Sequence, residues 1–384
     1  LLLYFCVLQF VLPSGKCYCT NGMCETKSLS LKTDTKHNSF LDGYVFETLN
    51  VSSWKECFYV CARKCVCHSF NFNELKKTEN CELSDGTSKL DPNSLKEKNG
   101  VTYYEIGRSY FDQKSGLHKS CSDQTCHNKC CESNPCQHGG TCHEVCDVTK
   151  RRFNCTCLPA FGGHRCQLFK PRSCAHVMKF SKLKTNGIYH IMDYNNILFP
   201  VYCDFGSEPG MAWTLIQSHS FQNNDAFKDK PFYLHDMPIN QHVPEWNSYR
   251  LSMSRITSIQ KFSTHWRATC NFPTDGVDYR DYWRVSLTNL DLLVKLPIPI
   301  SCVFAELINV RGNSCTNCTV VTGYGEGMSL HMDSWFNYLE GCEFDGQPGG
   351  VGNEDNFGHY AFTNPAFRCT SSVNSTSQFW LGSF

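Results

Sequence analysis

Three kinds of hydrophobic patterning run along this 384-residue chain. The first is an unbroken apolar run, Leu1 to Leu12 (LLLYFCVLQFVL), that stops at Pro13, Ser14 and Gly15. A run of that length fits a secretory leader and is too short to span a bilayer. The second is helical. Trp54, Cys57, Phe58 and Cys61 recur at three- and four-residue spacing behind Ser53, and Ser53 with Glu56 makes a Ser-x-x-Glu capping box, so a helix is predicted with Cys57 and Cys61 on one face. The third is the alternation of half-buried strands, at Tyr44 to Leu49 (YVFETL), Val66 to Phe72 (VCHSFNF), Val101 to Ile106 (VTYYEI), Pro200 to Asp204 and Ala212 to Gln217, with a turn at Asn186-Gly187.

Length and composition turn these elements into an expectation of several domains outside the cytosol. Single cores stop growing at roughly 250–300 residues, so the length predicts two to four domains. Lys plus Arg equals Asp plus Glu at 36 each, which leaves no net field to draw in nucleic acid or an anionic membrane surface. The 27 cysteines are far above cytosolic usage and predict disulfides formed in an oxidising compartment. No later segment reaches spanning length. The leader is expected to occupy residues 1–16; it lacks an initiator Met and a basic segment, so the sequence is read as starting inside it. Its removal takes Cys6 away and leaves an even number of cysteines. Sequons at Asn50, Asn317 and Asn374 fit secretion, while at Asn154 a disulfide at Cys155 would hinder the transferase.

The cysteines Cys57, Cys61, Cys65, Cys67 and Cys81 cluster around the predicted helix, with Cys67-His-Ser-Phe-Asn-Phe and Cys81-Glu-Leu following it. This pattern resembles the PAN/apple family, a helix on a small antiparallel sheet, here assigned to residues 17–110. The resemblance implies Cys57 paired with Cys81 and Cys61 with Cys67, and binding of proteins or carbohydrates. Cys65 is left to reach Cys17, Cys19, Cys24 or the cysteines after residue 120.

Residues 131–166 carry Cys131, Cys136, Cys142, Cys155, Cys157 and Cys166 with Gly139-Gly140 and Phe161-Gly162. They resemble an epidermal-growth-factor-like module, a two-stranded hairpin assigned to residues 121–167. The implied pairing is Cys131–Cys142, Cys136–Cys155 and Cys157–Cys166. So short a segment needs such bridges, each worth roughly 2–4 kcal/mol, because it cannot bury a sufficient core. Against the calcium-binding members, His127-Asn128-Lys129-Cys130 and Glu144 stand where the acidic ligands would be, so no calcium site is expected in this module. Ser133 fits an O-glucose motif and Thr141 an O-fucose motif. Cys121, Cys126, Cys130 and Cys146 are additions to the family pattern, without assigned partners.

From Ser173 the chain runs SCAHVMKFSKLKTNGIYHI, then PVYCDF, then MAWTLIQS. This order is similar to the start of fibrinogen-related and intelectin-like domains, and an α+β domain of that kind is assigned to residues 170–384, with Cys174–Cys203 implied. Beyond Gln217 the family pattern fades. Cys270, Cys302, Cys315, Cys318, Cys342 and Cys369 remain, enough for three more bridges, with Cys315-Thr-Asn-Cys318 read as a structural bridge. A Gly/Asp/Asn stretch offers Asp345, Asn353, Glu354, Asp355 and Asn356 as weak candidates for calcium, and a solvated surface loop is the alternative.

No metalloprotease, serine-hydrolase or phosphate-loop motif is present, and His265 and His359 in aromatic surroundings read as packed or surface residues. The expectation is a disulfide-rich multidomain α+β protein that is not an enzyme. The three resemblances together are similar to secreted cnidarian proteins, including those of coral skeletal matrix. They imply an extracellular-matrix or adhesion component that binds proteins or glycans, compatible with a mineralised matrix. The second expectation is a secreted lectin of innate immunity binding microbial glycans. Ligand and oligomeric state are not specified by the sequence.

Overall fold

The computed structural model describes residues 19–20, 23–24, 26–31, 35–110, 128–145, 151–181, 184–333, 342–352 and 354–384. The leader at 1–16 and Cys17, Cys121, Cys126, Cys146 and Asn353 lie outside them. The chain divides into two compact units, Leu1–Phe169 and Lys170–Phe384.

The first unit begins with a short antiparallel pair, β1 (Cys19–Thr20) and β2 (Met23–Cys24), in which Cys19 lies opposite Cys24. Its main sheet takes β3 (Thr26–Leu31), β4 (Lys36–Leu41), β5 (Val45–Leu49), β6 (Ser69–Asn73), β7 (Cys81–Ser84) and the long β8 (Leu95–Tyr110), in the order β3-β8-β6-β7-β5 with β4 also on β8. The helix α1 (Trp54–Arg63) packs on β6 and β7. Cys57 and Cys61 are its buried residues, bridged to Cys81 and Cys67. Phe70, Phe72, Leu83 and Tyr104 complete a small core around those four sulfurs. The capping differs from the sequence expectation by one residue. Ser53 occupies the cap without a side-chain bond, and the Glu56 carboxylate accepts instead from the Ser52 amide at 2.7 Å and hydroxyl at 2.8 Å. An acid in the first helical turn has both the dipole and these donors in reach, so it serves whichever neighbour the backbone presents.

The same unit continues with the hairpin β9 (Thr141–Glu144) and β10 (Phe153–Thr156), and a second pair, β11 (Phe161–Gly162) and β12 (Leu168–Phe169). Bridges Cys131–Cys142, Cys136–Cys155 and Cys157–Cys166 staple it. Cys65, open in the sequence, pairs with Cys130 and so fastens this hairpin segment to the chain just after α1. Val66, Cys130 and Phe153 bury themselves together around that bond. In the same unit the fully buried Asp85 carboxylate meets His164 Nε2 at 2.9 Å and Arg165 Nε at 3.7 Å, as ion-pair contacts outside aligned hydrogen-bond geometry. Tyr44 stacks on His164 with ring centroids 5.0 Å apart.

The second unit is one antiparallel sheet flanked by short helices. In chain order its elements are α2 (Cys174–Phe180), β13 (Gly187–Met192), β14 (Leu198–Asp204), β15 (Ala212–Ser220), β16 (Ser248–Arg250), α3 (Met253–Gln260), β17 (His265–Cys270), α4 (Phe272–Asp275), β18 (Tyr282–Ser286), β19 (Ile300–Val310), β20 (Asn313–Gly325), β21 (Met328–Asp333), β22 (Asp355–Asn356) and β23 (Thr376–Ser383). The sheet runs β13-β14-β15-β23-β17-β18-β19-β20-β21-β22, with β16 on β15. The last strand of the chain therefore lies in the middle. β15 is buried at every position, so it is a strand covered on both faces and not the half-exposed one its alternation suggested. Its polar residues find partners inside: Thr214 Oγ1 accepts from the Cys174 amide at 3.1 Å, and Cys174 bridges to Cys203. Cys270–Cys369, Cys302–Cys342 and Cys315–Cys318 account for the last six cysteines.

Arg267 on β17 is fully buried, with Nη2 2.6 Å from Asp204 Oδ2 and Nη1 2.7 Å from Glu208 Oε1. Its guanidinium lies over Trp213 at 4.6 Å and Trp380 at 4.8 Å. Burial works against ionisation of Asp204, yet Arg267 and neighbouring hydrogen-bond donors outweigh it and hold the carboxyl below its usual range. Replacing Arg267 by Ala leaves the buried Asp204 carboxylate without its cation and Glu208 with Arg284 and Tyr282 alone, and should cost about 3–5 kcal/mol. Apart from Trp54 every tryptophan belongs to the second unit, so guanidinium unfolding followed by tryptophan fluorescence reads the effect. A loss under about 1 kcal/mol would show that the pair is dispensable.

His219 on β15 is buried against Phe227, and burial, with Arg250 nearby, pushes its pKa down to about 3. The unfolded chain then binds a proton that the folded one refuses between pH 6.5 and 3. Stability is full above that window and falls on acidification by about 1.4 kcal/mol per pH unit for this group. Unfolding midpoints at pH 7 and pH 5 should converge in His219→Gln relative to the parent; an unchanged pH dependence would refute the assignment.

Candidate binding site

A concavity of about 450 Å³ opens on the first unit between the start of α1 and the β6–β7 hairpin. Trp54 and Phe72 supply its apolar surface, Ser52, Ser53 and Glu74 its polar rim, and Lys76 and Lys77 its cations. The aromatic wall is rigid because Trp54 stacks on Tyr104 at 5.5 Å and Tyr104 on Phe70 at 4.8 Å. The side facing it is held by Asn80, whose amide donates to Val51 O at 2.8 Å and accepts from Val51 N at 2.9 Å. That two-bond clamp imitates a strand pair and fixes the segment entering α1 to the hairpin. Asn50 stands next to it, exposed, with Oδ1 accepting from the Glu79 amide. A rigid aromatic face beside exposed cations suits a ligand with both an apolar surface and acceptor groups.

This groove sits inside a recognisable domain. A family model for the PAN domain matches residues 24–109. PAN domains mediate protein or carbohydrate interactions and are common in extracellular proteins. A comparison with curated proteins finds no match. The PAN domain and the ten disulfides among the described residues point to an extracellular protein, and no helix of the described residues is long and apolar enough to cross a membrane.

The modification candidates are all accessible. Asn50, Asn317 and Asn374 are exposed, as are Ser133 and Thr141. Asn154 is exposed too, directly before the bridged Cys155. Glu144 turns its carboxylate to the amides of Asn128 at 2.6 Å and Cys131 at 3.3 Å.

The oxygen ligands proposed on the Gly/Asp/Asn loop of the second unit are divided among separate tasks. Glu354 is buried and its Oε2 takes Arg311 Nη1 at 2.9 Å and Asn364 Nδ2 at 2.8 Å. Asn356 Oδ1 accepts from the same guanidinium at 3.1 Å. A cation here would compete with Arg311, so these two serve the loop's structure. Asp345 Oδ1 accepts the Gln347 amide at 3.0 Å in a local turn. Asp355 alone turns toward other chemistry, with His331 and Asp333 of β21, the three ligand atoms lying within 4.8 Å of one another. Sequence reasoning missed His331 and Asp333 because they are 24 and 22 residues from Asp355 and only the β21–β22 pairing joins them. Burial and the neighbouring Asp333 push the Asp355 carboxyl up to about 7, against the opposing pull of His359.

Asn80→Ala removes the clamp that shapes the PAN groove. A loss of about 1–3 kcal/mol in the first unit is expected from the two stranded backbone groups. Urea unfolding followed by near-ultraviolet dichroism checks it, and an unchanged midpoint would mean that the segment before α1 holds without Asn80.

Proposed function

We propose that this protein is a secreted extracellular-matrix or adhesion component that acts by binding proteins or glycans and not by catalysis, with the PAN groove at Trp54, Phe72, Lys76 and Lys77 as its principal contact. The observation that carries the reading is the groove itself: a preformed apolar wall with cations, in a domain whose family binds such partners. Supporting it is the density of disulfides, which suits a protein that must hold its shape outside the cell.

In this reading the remaining modules present or extend the groove. The pairing Cys131–Cys142, Cys136–Cys155, Cys157–Cys166 is the one implied by the epidermal-growth-factor-like resemblance, and a two-stranded hairpin accompanies it. Cys174–Cys203 is likewise the bridge implied by the fibrinogen-like resemblance at residues 170–384. Exposed Ser133 and Thr141 are open to O-glycosylation, and Asn50, Asn317 and Asn374 to N-glycosylation.

The test uses the full chain, secreted from eukaryotic cells, on panels of matrix proteins and of host and microbial glycans. Retention on one panel, weakened at least about tenfold by Trp54→Ala combined with Lys76→Ala and Lys77→Ala, is expected if a desolvated anchor of this kind carries binding. Preference for microbial glycans would favour the lectin of innate immunity over the matrix component. Retention that ignores the triple variant, or none on either panel, would refute the groove as the contact.

A further inference from the structure

Two aspartates stand directly opposite each other at the edge of the second unit's sheet, Asp333 on β21 and Asp355 on β22. Like charges at facing cross-strand positions repel, and a cation between them would relieve that repulsion. His331 lies two residues before Asp333 and so projects from the same face. It is 4% exposed, and its Nδ1 is 2.9 Å from the Ser329 carbonyl. A carbonyl there requires the proton on Nδ1, which leaves Nε2 as a lone pair. That nitrogen faces Asp355 Oδ2 at 3.9 Å, beyond hydrogen-bond range. The ring has room because residue 323 across the ladder is glycine; a Cβ there would fall 2.3 Å from His331 Nε2.

A second imidazole approaches the same oxygen. His359 Nδ1 is buried without a hydrogen bond and lies 3.6 Å from Asp355 Oδ2, while its Nε2 faces Asp229 Oδ1 at 3.7 Å. Two ring nitrogens therefore point at one carboxylate oxygen from distances too long to bond it. Ligand atoms around one tetrahedral zinc ion, each at about 2.0–2.1 Å, are roughly 3.3 Å apart; those of His331, Asp333 and Asp355 lie within 4.8 Å of one another and His359 Nδ1 lies 3.6 Å from Asp355 Oδ2, so the side chains must draw inward to close on one ion.

We propose that His331 Nε2, His359 Nδ1 and the carboxylates of Asp333 and Asp355 bind one borderline divalent transition-metal ion, of which zinc is the representative. Two imidazoles with two carboxylates suit such an ion. Calcium takes six to eight oxygens and gains little from ring nitrogens. The Ser329 carbonyl and Asp229 would act on the far nitrogens of the two rings, fixing their orientation. The cation would also relieve the repulsion between the two aspartates, tying β22 to β21. This site shares only Asp355 with the oxygen-rich loop considered from sequence.

The experiment uses the full secreted chain, free thiols blocked and metal removed with a chelator, titrated with zinc and separately with calcium by calorimetry, and with bound metal counted by mass spectrometry. About one zinc per chain is expected, weakened at least about tenfold in Asp355→Asn and in His359→Gln and retained in His265→Gln. Zinc should raise the thermal midpoint of the parent and leave that of Asp355→Asn in place. His331→Gln alters a buried residue and could impair folding; Asp355 and His359 are partly exposed, so their variants carry the test. No zinc bound by the parent, zinc bound equally by both variants, or calcium bound more tightly than zinc at this site would each overturn the proposal.

Discussion

Arg267 holds a permanent charge where no water reaches, and four strands of the second unit are arranged around that fact. The charge is tolerable only because Asp204 from the end of β14 and Glu208 from the turn after it both meet the guanidinium, while Trp213 of β15 and Trp380 of β23 cover its faces. Glu208 is itself shared: Tyr282 donates to it at 2.6 Å, and Arg284 stands 2.6 Å away on β18. Arg284 then reaches Glu306 on β19, which also takes His265. One buried cation thus organises a row of side chains across β14, β15, β23, β17, β18 and β19. A pairing shifted by one residue would turn Arg267 to the other face of the sheet and leave the carboxylates unmatched, so the network specifies register as well as stability.

That network explains how the chain's last strand can occupy the middle of a sheet. β23 cannot be placed until nearly everything before it has been made, and contacts between distant parts of a chain are costly to close. Its side chains are correspondingly well anchored. Gln378 Oε1 accepts from Thr269 Oγ1 at 3.1 Å and from the Phe272 amide at 3.2 Å, and Trp380 Nε1 donates to Thr269 Oγ1 at 2.9 Å. Cys270–Cys369 fixes the approach to the strand. These local bonds give β23 one position between β15 and β17.

The first unit solves the opposite problem, too little apolar material for its length. Sulfur supplies part of the answer and asparagine another. Asn71, Asn80 and Asn128 are buried, and each side-chain amide takes the place of a backbone pairing partner: Asn71 for Leu41, Asn80 for Val51, and Asn128 for Cys130, Val145 and Arg152. An amide offers both a donor and an acceptor, so it can satisfy two backbone groups that no strand reaches. Together with Cys65–Cys130 these clamps make loops behave like sheet, which is what a preformed groove at Trp54 needs.

What could be read from the chain divides along the same physical line. Local periodicity and cysteine spacing disclosed α1, parts of β5, β6, β8 and β14, and the resemblance that implied Cys57–Cys81, because those signals lie within one element or one short loop. The partner of Cys65 and the burial of both faces of β15 were hidden, since each depends on residues far away in sequence. The same holds for Arg267: arginine is mostly an exposed residue, and only the distant aspartate and glutamate make this one part of the core. The loop 345–356 misled for the converse reason. Its oxygens are adjacent in sequence, but Arg311, arriving from the turn between β19 and β20, takes Glu354 and Asn356 and leaves Asp355 to face His331 and Asp333. Composition identifies which residues could hold a cation; strand pairing decides which of them meet.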